Sequence, residues 1–351
     1  ATGSVRTQGA RATFTSAEAA VDALRRGDAE MVVGAIPFDS DTPAALTVPE
    51  SIIREDGPLE PHAFYRNQTL NSRVVGFDPE PEEHLRRVEA AIGTIETSKL
   101  EKVVLARAVD IEFAAPIDPR LVAARLINLS VNRDGFIADL SPAGRPGAML
   151  VGSSPEVLIK RQGSTVSAFP LAGSTPRRAN KAADHIASQD LLHSAKDLLE
   201  HSFVVEHLRR ILEPLCSSLD IPETPQLIHT NEMWHLGTPV TGTLRDKDLT
   251  ALELAEVVHP TPAICGTPTE AAQALIETAE TDRGFYAGTV GWCDSSGDGE
   301  YMVAIRCAEV AGDGLSARAW AGGGVVGASN AQAELEETTA KLQTILRALS
   351  L

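Results

Sequence analysis

This sequence is short of positive charge, of cysteine and of long apolar runs, and each shortage removes a class of function. Lys and Arg number 31 against 48 Asp and Glu, a formal net charge of −17. That is the wrong sign for replacing counterions along a nucleic acid, so no nucleic-acid partner is expected. No apolar stretch approaches the ~20 residues that cross a bilayer, which argues against a membrane partner. Residues 1–12 are polar and basic without an apolar segment, so no signal peptide is expected and a cytoplasmic location is the working expectation. Cys216, Cys265, Cys293 and Cys307 are scattered, with no CxxC pair and no histidine at zinc spacing. They read as free thiols in a reducing compartment and add nothing to function. GxGxxG before a helix, Walker A and HExxH patterns are all missing, which removes the usual nucleotide and zinc-protease signatures. Low-complexity linkers, charge runs and short repeats are missing too. What remains is the composition of a globular protein, 43% apolar and 23% charged over 351 residues, long enough for one large or two ordinary domains.

The elements that can be read alternate between strand-rich blocks and long helices. A short helix over 16–26 and a strand over 31–36 precede an amphipathic helix over 80–97, with Leu85, Val88, Ile92 and Ile95 at helical spacing. Residues 102–113 form a Val/Ile/Ala-rich strand, and 135–140 and 148–169 are strand-rich, the latter broken at Ser153-Ser154-Pro155. Residues 180–215 read as one long helix whose buried stripe is Leu191, Leu192, Leu198, Leu199, Val204, Val205, Leu208 and Leu212. Strands are expected over 286–293, 301–310 and 315–321, joined by tight turns at 295–299 and 311–314. The glycines 322–324 then lead to a final helix from about Asn330. Antiparallel meanders alternating with helices make an α+β protein rather than a wound parallel sheet.

Two acidic pairs share one spacing: Asp197 with Glu200, and Glu334 with Glu337. Residues three apart on a helix share a face, so each helix can present two carboxylates to one point. Most such pairs are solvated faces, but two of them facing each other supply the hard oxygen donors that magnesium takes. Lys102 opens an apolar strand, where it either snorkels to solvent or sits at a pocket mouth as a base with a lowered pKa. Glu156 follows Pro155, whose missing N–H suggests a kink. It is either a solvated strand end or a buried general acid with a raised pKa. Arg306 lies in the apolar run 303–308 and needs a carboxylate partner, from the protein or from a substrate. Gly322, Gly323 and Gly324 are either a turn or a place where backbone N–H groups reach an anion. Lys341 is a surface partner for Glu337 or a cation beside a metal. On spacing alone His235 reads as a core histidine.

The segments 102–107, 154–156, 170–174, 196–201, 259–263, 290–294, 305–308 and 334–341 resemble, in order, the signature segments of the chorismate-utilising enzymes, and among these the isochorismate synthases. The likeness runs from Leu85 to the C-terminus and is weak over the first 80 residues. It implies one α+β catalytic domain over 1–351, with two large antiparallel sheets packed face to face and helices outside. It also implies a Mg²⁺-dependent isomerase: water adds at C2 of chorismate while the C4 hydroxyl leaves. Lys102 would activate the water and Glu156 would protonate the departing hydroxyl from the other side of the ring. Glu200 and Glu337 would bind Mg²⁺ directly, and Asp197 and Glu334 through water. Arg306, Lys341 and the backbone at Gly322 and Gly324 would hold the enolpyruvyl side, while Gly173, Ser174 and Ala263 shape the ring pocket and His235 lies near the ring. The product would feed menaquinone, siderophore or salicylate synthesis. Relatives that make anthranilate or aminodeoxychorismate use ammonia from an amidotransferase. Lys102 argues against that branch, so no amidotransferase subunit is expected and a monomer is the default. Salicylate synthases, which go on to eliminate pyruvate, are the alternative. Ala263 speaks against them, and Tyr286, where some isochorismate synthases carry Phe, does not separate the two.

Overall fold

The computed structural model describes residues 3–351. Two large antiparallel sheets, of nine and seven strands, make up the body, with a three-stranded sheet beside them and a two-stranded ribbon formed by Gly3–Gln8 and Ser51–Asp56. The central strand of the site, Lys102–Phe113, runs beside Ser316–Val326 in the seven-stranded sheet. Nearly all of it is buried, which is why it reads as a continuous apolar run rather than an alternating one. Val103 and Leu105 join a core that also takes Leu158, Ile159, Val166, Val290 and Val303 from the nine-stranded sheet. The two sheets thus share one interior. Val109, Ile111 and Phe113 belong to a second core, packed with Leu121 and Leu126 of helix Pro119–Leu129 and with Leu342 and Ile345 of helix Ala331–Ala348.

The sheets are not independent layers, because the chain crosses between them twice at one place. Met149–Gly152 lies in the seven-stranded sheet and Val157–Gln162 in the nine-stranded one. Gly299–Val303 and Cys307–Val310 make the reverse passage. The crossings run side by side, with Ser153 N–H donating to Arg306 O at 3.1 Å and Val303 N–H donating to Glu156 O at 3.1 Å. A third departure follows Thr165–Phe169, where the chain leaves for strand Leu171–Pro176 of the three-stranded sheet.

Several expected elements are modified. The strand expected over 301–310 is two strands, because Ala304, Ile305 and Arg306 carry the sheet-to-sheet passage. The helix expected over 180–215 is two, Lys181–His193 and Ala195–Leu215. Ser194 breaks it, closing the first helix and capping the second through Asp197 N–H. Leu199, assigned to the buried stripe, is 49% exposed because Asp197 and Glu200 take the inward side of that turn. The strand expected over 286–293 is Thr289–Asp294, leaving Tyr286 in the preceding turn. Gly322–Gly324 lie inside strand Ser316–Val326, paired with Ala106, Leu105 and Val104, not in a turn before the last helix.

Candidate active site

A pocket opens where the chain leaves the nine-stranded sheet, with about 640 Å³ of empty space once the open solvent at its mouth is included. Its lining brings together Glu156, Gly173, Ser174, Glu200, His235, Ala263, Tyr286, Arg306, Gly322, Gly324, Glu337 and Lys341. Lys102 and Asp197 stand just behind that lining, against Glu200 and Gly173, and Glu334 is joined to it by Lys196, which also lies within ion-pair range of Glu200.

The crossings place the acid and the arginine. Glu156 follows the bend at Ser153-Ser154-Pro155, and its backbone N–H donates to Ser154 Oγ at 3.2 Å. Its side chain is 3% exposed and its Oε1 accepts from Leu171 N–H at 3.3 Å. Burial pushes its pKa up to about 7, against the opposing pull of that N–H and of Lys102, Lys341 and Arg306. A large share of Glu156 is therefore protonated at neutral pH, as a general acid requires. Arg306 has φ +50, a backbone region that bulky residues rarely occupy. Its side chain is buried and reaches only Thr344 Oγ1 at 3.5 Å and His235 Nε2 at 3.4 Å. Among the described residues no carboxylate lies within ion-pair distance of it. A buried guanidinium without an acid is set up to bind one that arrives. His235 is held neutral, its pKa driven well below the usual value by burial and then by Arg306 and Lys341.

The four acids lie in one neighbourhood, three of them around Lys196 and Glu337 on Lys341. Glu200 Oε1 lies 3.1 Å from Lys102 Nζ, an approach short enough for an ion pair but without hydrogen-bond geometry. Glu337 Oε1 accepts from Ser174 Oγ at 2.7 Å and from Lys341 Nζ at 2.6 Å, while Lys341 also donates to Gly322 O at 2.9 Å. Burial raises the pKa of Glu334, and the nearby Glu337 adds to the rise. Burial pushes Glu337 up too, but Lys341, Lys196 and its hydrogen bonds outweigh it and hold Glu337 low. Glu334 Oε2 and Asp197 Oδ1 are buried without a hydrogen-bond partner among the described residues. Orphaned buried carboxylate oxygens are what a hard cation satisfies.

The glycines make the room. A Cβ on Gly324 would stand 2.0 Å from Glu200 Oε1 and 3.0 Å from Lys102 Cε, and one on Gly322 would stand 2.8 Å from the Tyr286 hydroxyl. Gly173, at φ +78, lets its strand pass Asp197, whose Cβ would lie 3.0 Å from an added one. The Tyr286 ring stacks on Trp320, centroids 5.6 Å apart.

Sequence reasoning missed four contributors. Lys196 Nζ lies 3.0 Å from Glu334 Oε1, 3.7 Å from Asp197 Oδ1 and 3.9 Å from Glu200 Oε2. Its place beside Asp197, four residues before Glu200, does not by itself tell that it faces them. His201 bonds Ala172 O and Thr238 Oγ1 and so fixes the turn that carries Glu200. Arg283, paired with Glu280, donates to Val104 O and Ile264 O and lies against the Tyr286 ring, holding three walls of the cavity. Trp320 has no local signal.

The fold and this site are those of a chorismate-utilising enzyme. The chain belongs to the family of chorismate binding enzymes, which matches residues 50–350. It is 45% identical over 355 residues to a Mycobacterium tuberculosis (strain ATCC 25618 / H37Rv) protein provisionally named isochorismate synthase MenF, covering 99% of this chain and 94% of that protein. It is 42% identical over 338 residues to the isochorismate synthase DhbC of Bacillus subtilis (strain 168), covering 95% and 84%. Among solved structures, anthranilate synthase component I from Streptococcus pneumoniae superposes with a TM-score of 0.78 at 18% identity, covering 98% of this chain and 92% of that one. That last likeness concerns the fold alone.

Proposed function

We propose that this protein is an isochorismate synthase that converts chorismate to isochorismate with Mg²⁺ as its metal. The observation that carries the reading is the buried Arg306, which lines the cavity with no carboxylate within ion-pair distance among the described residues. A substrate with two carboxylates fits: one for Arg306 and Lys341, the other for a metal at the acid cluster. Glu200 and Glu337 would hold Mg²⁺ directly and Asp197 and Glu334 through water. The orphaned oxygens of Glu334 and Asp197 and the space cleared by Gly324 support that assignment. When bound, the ion supplies positive charge at the ring carboxylate, which offsets the protein's net −17 locally.

The chain's own groups do the proton work. Lys102, wholly buried at the start of its strand, takes a proton from the water that attacks C2. The ring π-electrons shift toward C4, and the C4 hydroxyl leaves as water with the proton that Glu156 donates. Neutral His235 and the Tyr286–Trp320 stack shape the ring pocket without adding charge. Purified protein incubated with chorismate, with Mg²⁺ or with EDTA, and resolved by chromatography tests the reading. Isochorismate settling at a fixed ratio to chorismate, lost in EDTA, is expected. Salicylate and pyruvate in equal amounts would overturn it in favour of the lyase.

A further inference from the structure

The four acids of the cluster are countered from within by three lysines. Lys102 stands on Glu200, Lys341 on Glu337, and Lys196 on Glu334, with Asp197 and Glu200 also inside ion-pair range of Lys196. Lys341 lines the cavity and also donates to Gly322 O, and Lys102, just behind the lining, is the proposed base. Lys196 has neither a further partner nor such a role: its three partners are three of the four acids, and it reaches them from the first turn of helix Ala195–Leu215. Among the described residues no three carboxylate, histidine or cysteine side chains converge in ligating geometry. An ammonium lies between the oxygens that a metal would have to draw together. Its side chain is 22% exposed, so solvent is open to it.

We infer that Lys196 is a displaceable internal cation: its ammonium occupies the acid cluster in the metal-free protein and withdraws to solvent when a divalent cation enters. The inference rests on the proposed Mg²⁺ site. A like charge a few ångströms from a bound ion is strongly unfavourable in a buried setting, so one of the two cations must leave. Lys196 then does two things. It holds three of the four carboxylates together without metal, and it weakens metal binding by competing for them. A residue that merely positioned Glu334 as a ligand would have the opposite effect on affinity, so the sign of the change separates the two roles.

The test is calorimetric titration of Mg²⁺ into metal-free wild type, Lys196→Met and Glu200→Gln at one pH and salt concentration, with melting temperatures measured alongside. Lys196→Met is expected to bind Mg²⁺ about tenfold or more tightly than wild type, to melt lower without metal, and to gain more on its addition. Affinity equal to or weaker than wild type overturns the inference and leaves the metal site standing. Wild type that binds no more Mg²⁺ than Glu200→Gln overturns both. Should Lys196→Met fail to fold, Lys196→Gln gives the same comparison. Acylation of wild type followed by peptide mass spectrometry reads displacement directly: labelling of Lys196 is expected to rise several-fold with Mg²⁺, and an unchanged rate overturns withdrawal.

Discussion

Lys102 and Glu156 have mirror-image problems, a base buried beside a carboxylate and an acid buried beside cations. Replacing Lys102 by Ala is expected to lower turnover by about 10²- to 10⁴-fold while chorismate affinity, read by titration, changes little. Near-normal turnover would remove it as the base. Glu156 must be protonated to act, and burial sets its pKa at about 7. The rate is therefore expected to fall as pH rises through about 7, and Glu156→Gln to be slow and flat across that limb. A wild-type rate still climbing at pH 8.5 would exclude Glu156 as the acid. Much of this site was legible in the sequence. Lys102, Glu156, Arg306 and the four acids each broke a local pattern, as a charge in an apolar run or a spaced pair on a helix. Lys196 was not legible, because a lysine next to an aspartate on a helix looks the same whether it faces solvent or three carboxylates.

At the scale of elements, function sits where regular structure is interrupted. Glu156 and Arg306 occupy the two crossings between sheets, and Ser194 splits a helix so that Asp197 and Glu200 start a new one pointing at the cavity. The strand Ser316–Val326 does its part by having no side chains at Gly322 and Gly324. In Gly324→Ala the new methyl would collide with the Glu200 carboxylate, so the metal requirement is expected to rise about 10- to 100-fold. The melting temperature should move little, since Glu200 can rotate away. An unchanged Mg²⁺ titration would show that the glycine serves packing only. The helices over 81–97 and from Asn330 and the strand 102–113 were readable from the sequence, whereas the helices over 119–129, 251–258 and 269–279 were not read. The break at 304–306 was not, because an apolar run looks alike whether it stays in one sheet or passes between two.

Across the molecule, four buried histidines and one half-buried one, His259, have lowered pKa values. His84 and His259 fall to about 4 and His201, His207 and His235 fall as well, burial being the largest cause in each. A group whose folded pKa is depressed lends stability above its unfolded value, near 6.5, and loses it as pH falls toward the folded one. Stability is expected to decline below pH ~6.5 by up to about 1.4 kcal/mol per pH unit for each histidine. The carboxylates that set the −17 charge titrate mostly below pH ~5, so relief of their repulsion comes too late to offset this. Calorimetry should show the melting temperature several degrees lower at pH 5 than at pH 7; a flat profile would mean that the histidines open to water before they charge. The sequence by itself determined the α+β class, the strand 102–113 and the helix over 81–97, and which charged residues were out of place, because periodicity and a charge in an apolar run are local signals. Only the tertiary structure decided that the chain crosses between the sheets, that no carboxylate among the described residues comes within ion-pair distance of Arg306 and that Lys196 sits among three. Those facts depend on which distant segments meet, and burial of the shared core, not local propensity, brings them together.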